Sequence, residues 1–277
     1  MPAIHPDRLM PLLTSLTYRP PRGAAAREFP FSLPVIRKLR ALAFAAPVTL
    51  LVGENGTGKS TLLEALACAA NSVTVGAESL RSDKTLAHAR ALAKRFRLAW
   101  SKKTYRGFFL RAEDFFGYAK ATARLRAEMN QRLEEIDDEY QGRSEMARGY
   151  ARMPFAGSLQ AIDQRYGQGL DAQSHGESFL KLFRSRVVPG GLYLLDEPEA
   201  PLSPMRQIAF LAMLKGMAAD GSQFVIATHS PIILSHPGAA IWSFDDPPIK
   251  TVAYSALDHV QLTRSFLNNP EAYLSKL

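Results

Sequence analysis

The chain has 277 residues, 47% of them apolar, and 34 Lys and Arg against 26 Asp and Glu give a formal charge of +8. This is apolar mass enough for a sizeable core, and the charge draws anionic partners such as nucleic acid or lipid headgroups. No run approaches the ~18 apolar residues of a membrane-spanning helix, Pro2, Pro6, Asp7 and Pro11 break up any apolar leader, and the single cysteine, Cys68, excludes a disulfide framework; a cytoplasmic protein is expected.

Residues 1–46 read as an antiparallel N-terminal β segment. A strand over 15–18 is followed by a break at Pro20-Pro21, and a second strand is expected near 29–33. Its aromatics, Phe29 and Phe31, either fill the core or stack on a base. Val48-Thr49-Leu50-Leu51-Val52 is then a buried strand. The eight residues after it, Gly53, Glu54, Asn55, Gly56, Thr57, Gly58, Lys59 and Ser60, fit the pattern G-x-x-x-x-G-K-[ST], and a helix-forming run starts at Thr61. Strand, glycine loop and helix N-terminus in this order cradle phosphate oxygens on backbone N–H groups. In this pattern Lys59 reaches the β- and γ-phosphates and the Ser60 hydroxyl ligates Mg²⁺, so residues 53–61 are expected to bind a nucleotide. Cys68, on the same helix, reads as a small buried residue.

Residues 86–96 have helical spacing. From Arg90 to Arg111 there are eight basic residues and no acid, with Phe96, Trp100, Tyr105, Phe108 and Phe109 interleaved. This stretch is either a phosphate- and base-binding surface or the basic outside of a helix and hairpin whose aromatics fill the core. An apolar strand, 107–111, leads to Glu113. Residues 114–152 are helical and strongly charged, the run from Glu134 to Glu139 being a solvated face. Residues 157–172 are expected to be a loop. Ser174 and Glu177 form a capping box that opens a helix, and the N-terminus so capped, with the bare backbone of Gly176, suits a phosphate.

Residues 191–195 are a second apolar strand, ending in Asp196-Glu197. At a strand tip, Asp196 is placed to hold Mg²⁺, and Glu197 to orient and deprotonate an attacking water. An amphipathic helix over 205–217 precedes a third strand, 223–228, which ends at His229. Ligands of parallel sheets sit beyond the carboxyl ends of the strands, so His229 should reach the γ-phosphate or the water. Two closing strands, 240–244 and 250–254, a helix over 257–267 and a short last helix capped by Asn269 complete the chain.

With these motifs in this order, the chain resembles the ABC-type ATPases, especially small stand-alone members and their repair and chromosome-organising relatives. The resemblance covers nearly the whole length. It implies an α/β fold, a P-loop NTPase sandwich with a mostly parallel central sheet. The core would span 47–113 and 188–277, and a helical lobe, 114–187, would carry the signature motif 174–180, all in one ATPase domain of 277 residues. It further implies ATP and Mg²⁺ as cofactors and a head-to-tail homodimer. Each ATP would touch Lys59 and Ser60 of one chain and Ser174, Gly176 and Glu177 of the other. The sequence departs from the family at His175, where the signature has glycine, and at Glu113, where a glutamine is usual; the Glu113 carboxylate would serve Mg²⁺ or the water instead. Hydrolysis would rest on Glu197, His229 and Lys59. The basic segment and the Ser-x-Gly-Glu signature favour an ATPase acting on nucleic acid in repair, maintenance or defence. The alternatives are an ATP-binding subunit of a membrane transporter and a slow nucleotide switch for a partner protein.

Overall fold

The structure, a computed structural model, describes residues 10–75, 80, 83–166 and 175–275. The first half of the chain comprises β1 (Leu13–Tyr18), α1 (Pro34–Lys38), β2 (Ala41–Ala43), β3 (Val48–Val52), α2 (Lys59–Ala70), β4 (Val73–Thr74), α3 (Ala87–Ala93), β5 (Phe96–Trp100), β6 (Gly107–Arg111) and α4 (Ala112–Glu139). The second half comprises α5 (Glu145–Tyr166), α6 (His175–Arg186), β7 (Leu192–Asp196), α7 (Pro204–Ala219), β8 (Gln223–Ala227), α8 (Pro231–Leu234), β9 (Ala240–Ser243), β10 (Lys250–Val252), α9 (Asp258–Asn268) and α10 (Glu271–Leu274).

Seven strands form the main sheet in the order β10-β9-β3-β8-β7-β6-β4, every neighbouring pair parallel except β9 with β10. Parallel strands buried on both faces read as continuous apolar runs, and alternate residues serve opposite faces. Tyr193 and Leu195 of β7 join Phe224 and Ile226 of β8 in one core, with Phe183 of α6 and Phe210 of α7. Leu192, Leu194, Val225 and Ala227 face the other core, which contains Leu62, Leu63 and Leu66 of α2. Edge-to-face ring contacts, Phe183 with Phe210 at 5.0 Å and Phe108 with Phe183 at 6.0 Å, join α6 to α7 and α6 to the sheet; each such pair adds about 0.5–1.5 kcal/mol beyond area burial.

A second, three-stranded antiparallel sheet has the order β2-β1-β5. Leu13, Leu16 and Tyr18 of β1 point into the α2 core. The Gln223 side chain bonds both backbone groups of Leu13, accepting from its N–H at 2.7 Å and donating to its carbonyl at 3.0 Å. Two buried bonds across 210 residues of chain thus fix one sheet on the other.

Several sequence expectations are corrected. Residues 29–33 are turns leading into α1, which begins with Pro34 at its first position, because Pro30 and Pro34 bracket the segment and deny it ladder donors. Residues 96–111 are not a hairpin: β5 pairs with β1 and β6 with β7, in different sheets. The expected loop over 157–172 is helical as far as Tyr166, with Pro154 inside α5, since packing of α4 against α5 carries the helix through. Residues 167–172 of that loop lie outside the described residues. Cys68 is half-buried and unpaired in any disulfide, and burial pushes its thiol up to about 11.

Candidate nucleotide-binding site

The loop between β3 and α2 turns on Gly58, at φ +99° the residue immediately before the first helical turn. A side chain there would be strained, and glycine lets Lys59 and Ser60 occupy the helix start. Lys59 is buried and donates to the carbonyls of Gly53 at 2.6 Å and Glu54 at 2.9 Å. An ammonium has three N–H donors, so one remains for a phosphate oxygen. Burial lowers the Lys59 pKa, while Glu197, Asp196, Asp245 and Glu54 work to keep it charged. Thr57 donates its hydroxyl to the Glu54 carbonyl at 2.8 Å, closing the loop on itself.

Asp245, just beyond β9, accepts the Glu54 N–H at 2.7 Å. This residue was not visible as a site residue in the sequence, because only the pairing of β9 beside β3 brings it to the loop.

Ser60 Oγ donates to Asp196 Oδ1 at 3.1 Å, across 136 residues. Asp196 is buried, and burial pushes its pKa up to about 7; Glu197 and Glu64 push the same way, against the Ser60 bond and the Lys59 charge. Glu197 sits at φ +50°, a left-handed conformation unusual for a side chain with a Cβ. That twist sends the two adjacent carboxylates apart, Asp196 inward and Glu197 half-exposed. Glu197 Oε1 lies 3.8 Å from His229 Nε2. The His229 Nε2 atom is buried and has no hydrogen-bond partner among the described residues. The His229 backbone N–H donates to Glu199 Oε1 at 2.7 Å. Glu199 is a second residue the sequence reading passed over. Its one legible signal was a third acid within four residues of Asp196.

Arg111 ends β6 directly beside Asp196 in the sheet register. It bonds both oxygens of Asp114, at 2.9 and 3.3 Å, and Asp83 at 3.2 Å. It also lies 3.5 Å from Glu64, on α2, and 3.5 Å from Glu113. Burial works against its charge, but Asp114, Glu113 and Glu64 outweigh it and hold the guanidinium protonated. Glu64 in turn meets His88 of α3 at 3.0 Å. Glu113, a candidate metal ligand in the sequence, is 75% exposed in the first turn of α4 with Arg111 as its partner.

In the signature segment, Ser174 lies outside the described residues. Gly176 begins α6 against the same chain's residues after β7: a Cβ there would stand 2.6 Å from the Pro201 carbonyl oxygen and 2.8 Å from Arg206 Cδ. Glu177, half-exposed, lies 3.6 Å from Arg206. Packing within one chain therefore already requires a glycine at 176.

The hard oxygen pair Ser60 and Asp196 suits a small divalent cation, and a buried carboxylate held near neutrality is relieved by one. No group of three or more His, Cys, Asp or Glu able to hold a metal by itself occurs among the described residues.

A glycine loop and helix N-terminus at the carboxyl edge of a parallel sheet, with Asp196 facing Ser60, define a P-loop nucleotide-binding fold. Two family profiles match the chain: an AAA domain over residues 31–145, and one described as "AAA domain, putative AbiEii toxin, Type IV TA system" over residues 178–235. By these two matches the chain carries AAA-type segments of a P-loop fold. Similar solved structures include the SMC head domain from Thermotoga maritima, at 15% identity and TM-score 0.44 over 87% of this chain and 99% of that one. A nucleotide-free ATP-binding cassette from an ABC transporter is similar at 14% identity and TM-score 0.47, over 95% and 99%. No curated protein matches. Among the described residues, no helix is long and apolar enough to cross a membrane.

Proposed function

We propose that the chain binds and hydrolyses ATP with Mg²⁺ and works as an ATP-bridged homodimer whose cycle acts on nucleic acid. The carrying observation is the Ser60–Asp196 contact at 3.1 Å with Glu197 and His229 beside it. In this reading Lys59 gives its free N–H to a phosphate oxygen, and the loop amides hold the other phosphates. Ser60 and Asp196 would hold Mg²⁺, which would neutralise charge on the phosphates. Glu197 takes a proton from the attacking water. That water's oxygen bonds to the γ-phosphorus as the bond to the bridging oxygen of ADP breaks, giving ADP and phosphate. His229 holds the water or the γ-phosphate, its ring placed by the Glu197 contact and its backbone by Glu199. A second subunit would present segment 174–177 to the same triphosphate, so the dimer would close only on ATP.

Nucleic acid is the favoured object because the positive charge is concentrated in residues outside the nucleotide site. The direct test is ATP turnover by the purified chain with Mg²⁺ or with EDTA, alongside Lys59→Ala. Turnover that needs Mg²⁺ and is lost in the variant supports the reading. Equal ATP affinity and turnover in Lys59→Ala would remove it.

A further inference from the structure

The basic charge is sharply segregated in the fold. Residues 10–53 hold six basic residues and one acid, and residues 84–112 hold nine and none, leaving 19 basic and 25 acidic residues elsewhere. These two stretches are far apart in sequence, but the pairing of β5 with β1 brings one strand of each into one small sheet, while β3 and β6 of the same stretches belong to the main sheet. At one end, the Tyr18 N–H bonds the Arg40 carbonyl at 2.8 Å and the Arg19 N–H bonds the Arg95 carbonyl at 2.9 Å. Three arginines thus sit on adjacent chain segments, with strands about 5 Å apart. Burial raises the Tyr18 phenol and the charges of Arg95 and Arg40 partly offset this, which places both cations at that end of β1.

The outer face of the sheet carries mostly small side chains. One cross-strand row is Ala41, Thr17 and Arg97; the next is Ala43, Ser15 and Ala99. The aromatics of β5 do not point this way: Phe96 and Trp100 alternate with Arg97 and Ala99 and pack against the α2 core, while Tyr105, beyond the strand, is exposed with Lys103 Nζ 5.3 Å from its ring. At the far end of β5, Lys102 and Lys103 are exposed. Arg19, Arg95, Arg97, Lys102 and Lys103 make no ion pair with any described residue.

We infer that this sheet face, with its flanking arginines and lysines, docks the sugar–phosphate backbone of a nucleic-acid duplex without reading its bases. The inference rests on the nucleic-acid reading proposed above and supplies its surface. Unpaired cations at both ends of a shallow platform match the regular charge of a duplex, and phosphate contacts of this kind carry sequence-independent affinity. The aromatics of β5 itself turn inward and give the sheet face no row of stacking rings of the sort that favours single strands; the exposed Tyr105 lies beyond the end of the strand. The rest of the chain, with more acids than bases, repels a polyanion and confines it to this face.

The test compares binding of a labelled DNA duplex of about 30 base pairs, a single strand of equal length, and phosphatidylserine vesicles across a salt series. Wild type is set against Arg95→Ala/Arg97→Ala and the charge-keeping Arg97→Lys, with Mg-ATP affinity as the folding control. Expected is tightest binding to the duplex, a loss of about tenfold or more in the double variant, a salt slope shallower by about 2, and near-wild-type binding by Arg97→Lys. Duplex binding unchanged in the double variant would overturn this surface and leave the nucleic-acid reading standing. Preference for single strands or vesicles would also overturn the inference. No binding of either nucleic acid by wild type, with or without ATP, would overturn the nucleic-acid reading itself.

Discussion

Glu199 accepts the backbone N–H of His229 at 2.7 Å, while its second oxygen is buried without a partner. One carboxylate therefore ties the turn after β7 to the tip of β8 and sets where the His229 ring stands relative to Glu197. Glu199→Ala should release that tip, lowering kcat by about ten- to a hundredfold with a smaller change in KM, the pattern of an interaction made in the transition state. Glu199→Gln, which keeps an acceptor, should fall between the two. Steady-state kinetics of the three proteins check this, and a rise in KM alone would assign Glu199 to substrate binding.

Glu197 combines a strained backbone with the proposed role of base. Glu197→Gln keeps shape and backbone and should slow hydrolysis by about 10²–10⁴-fold while retaining ATP, so that mass in solution shifts to the dimer on adding ATP. Glu197→Gly should likewise lose turnover but gain stability by about 1 kcal/mol, because φ +50° costs glycine nothing. Denaturant unfolding reads the second effect. A destabilised glycine variant would show that the side chain, rather than the backbone, dominates there.

Asp196 should make both stability and Mg-nucleotide binding depend on pH. Burial raises its pKa to about 7, above the ordinary 3.8. The folded state therefore binds a proton that the unfolded state releases, so this contribution is complete below the unfolded value and is lost as pH rises through 7. Cation binding needs the ionised form, and affinity for Mg-ATP should rise about tenfold from pH 6 to 8. Asp196→Asn should abolish that dependence, and without Mg²⁺ it should stabilise the protein at pH 8 by about 1–3 kcal/mol. Calorimetric titration and thermal unfolding at both pH values measure these changes.

Arg111 joins α2, through Glu64, to the first turn of α4, through Asp114. Its removal leaves Glu64, Asp83 and Asp114 without their shared cation, and breaking such a buried pair costs about 3–5 kcal/mol. Arg111→Ala should show that loss in denaturant unfolding. Arg111→Lys should recover only part of it, because an ammonium cannot make the two-pronged contact with Asp114.

Much of this site was legible locally. The phosphate loop announces itself because the backbone turn, the helix start, the lysine and the hydroxyl are all built from eight consecutive residues. The buried strands β3, β7 and β8 were equally plain as apolar runs, with Asp196, Glu197 and His229 at their ends. Glu199 and Asp245 were missed because each acts on a backbone N–H that only the strand order brings near. Of the two alternatives for Arg90–Arg111, the helix-and-hairpin one fails in its hairpin because two neighbouring strands joined different sheets, a choice made by the partners β1 and β7.

The sequence by itself determined a nucleotide loop, the strands that carry its companions and an excess of positive charge. These depend on residues adjacent in the chain or on simple sums over it. Only the tertiary structure decided that Ser60 meets Asp196, that Gly176 is held against Pro201, and that two basic stretches become one surface. Hydrogen bonding and close packing act through space over a few ångströms, so contacts between residues distant in the chain arise only once the strand order is set.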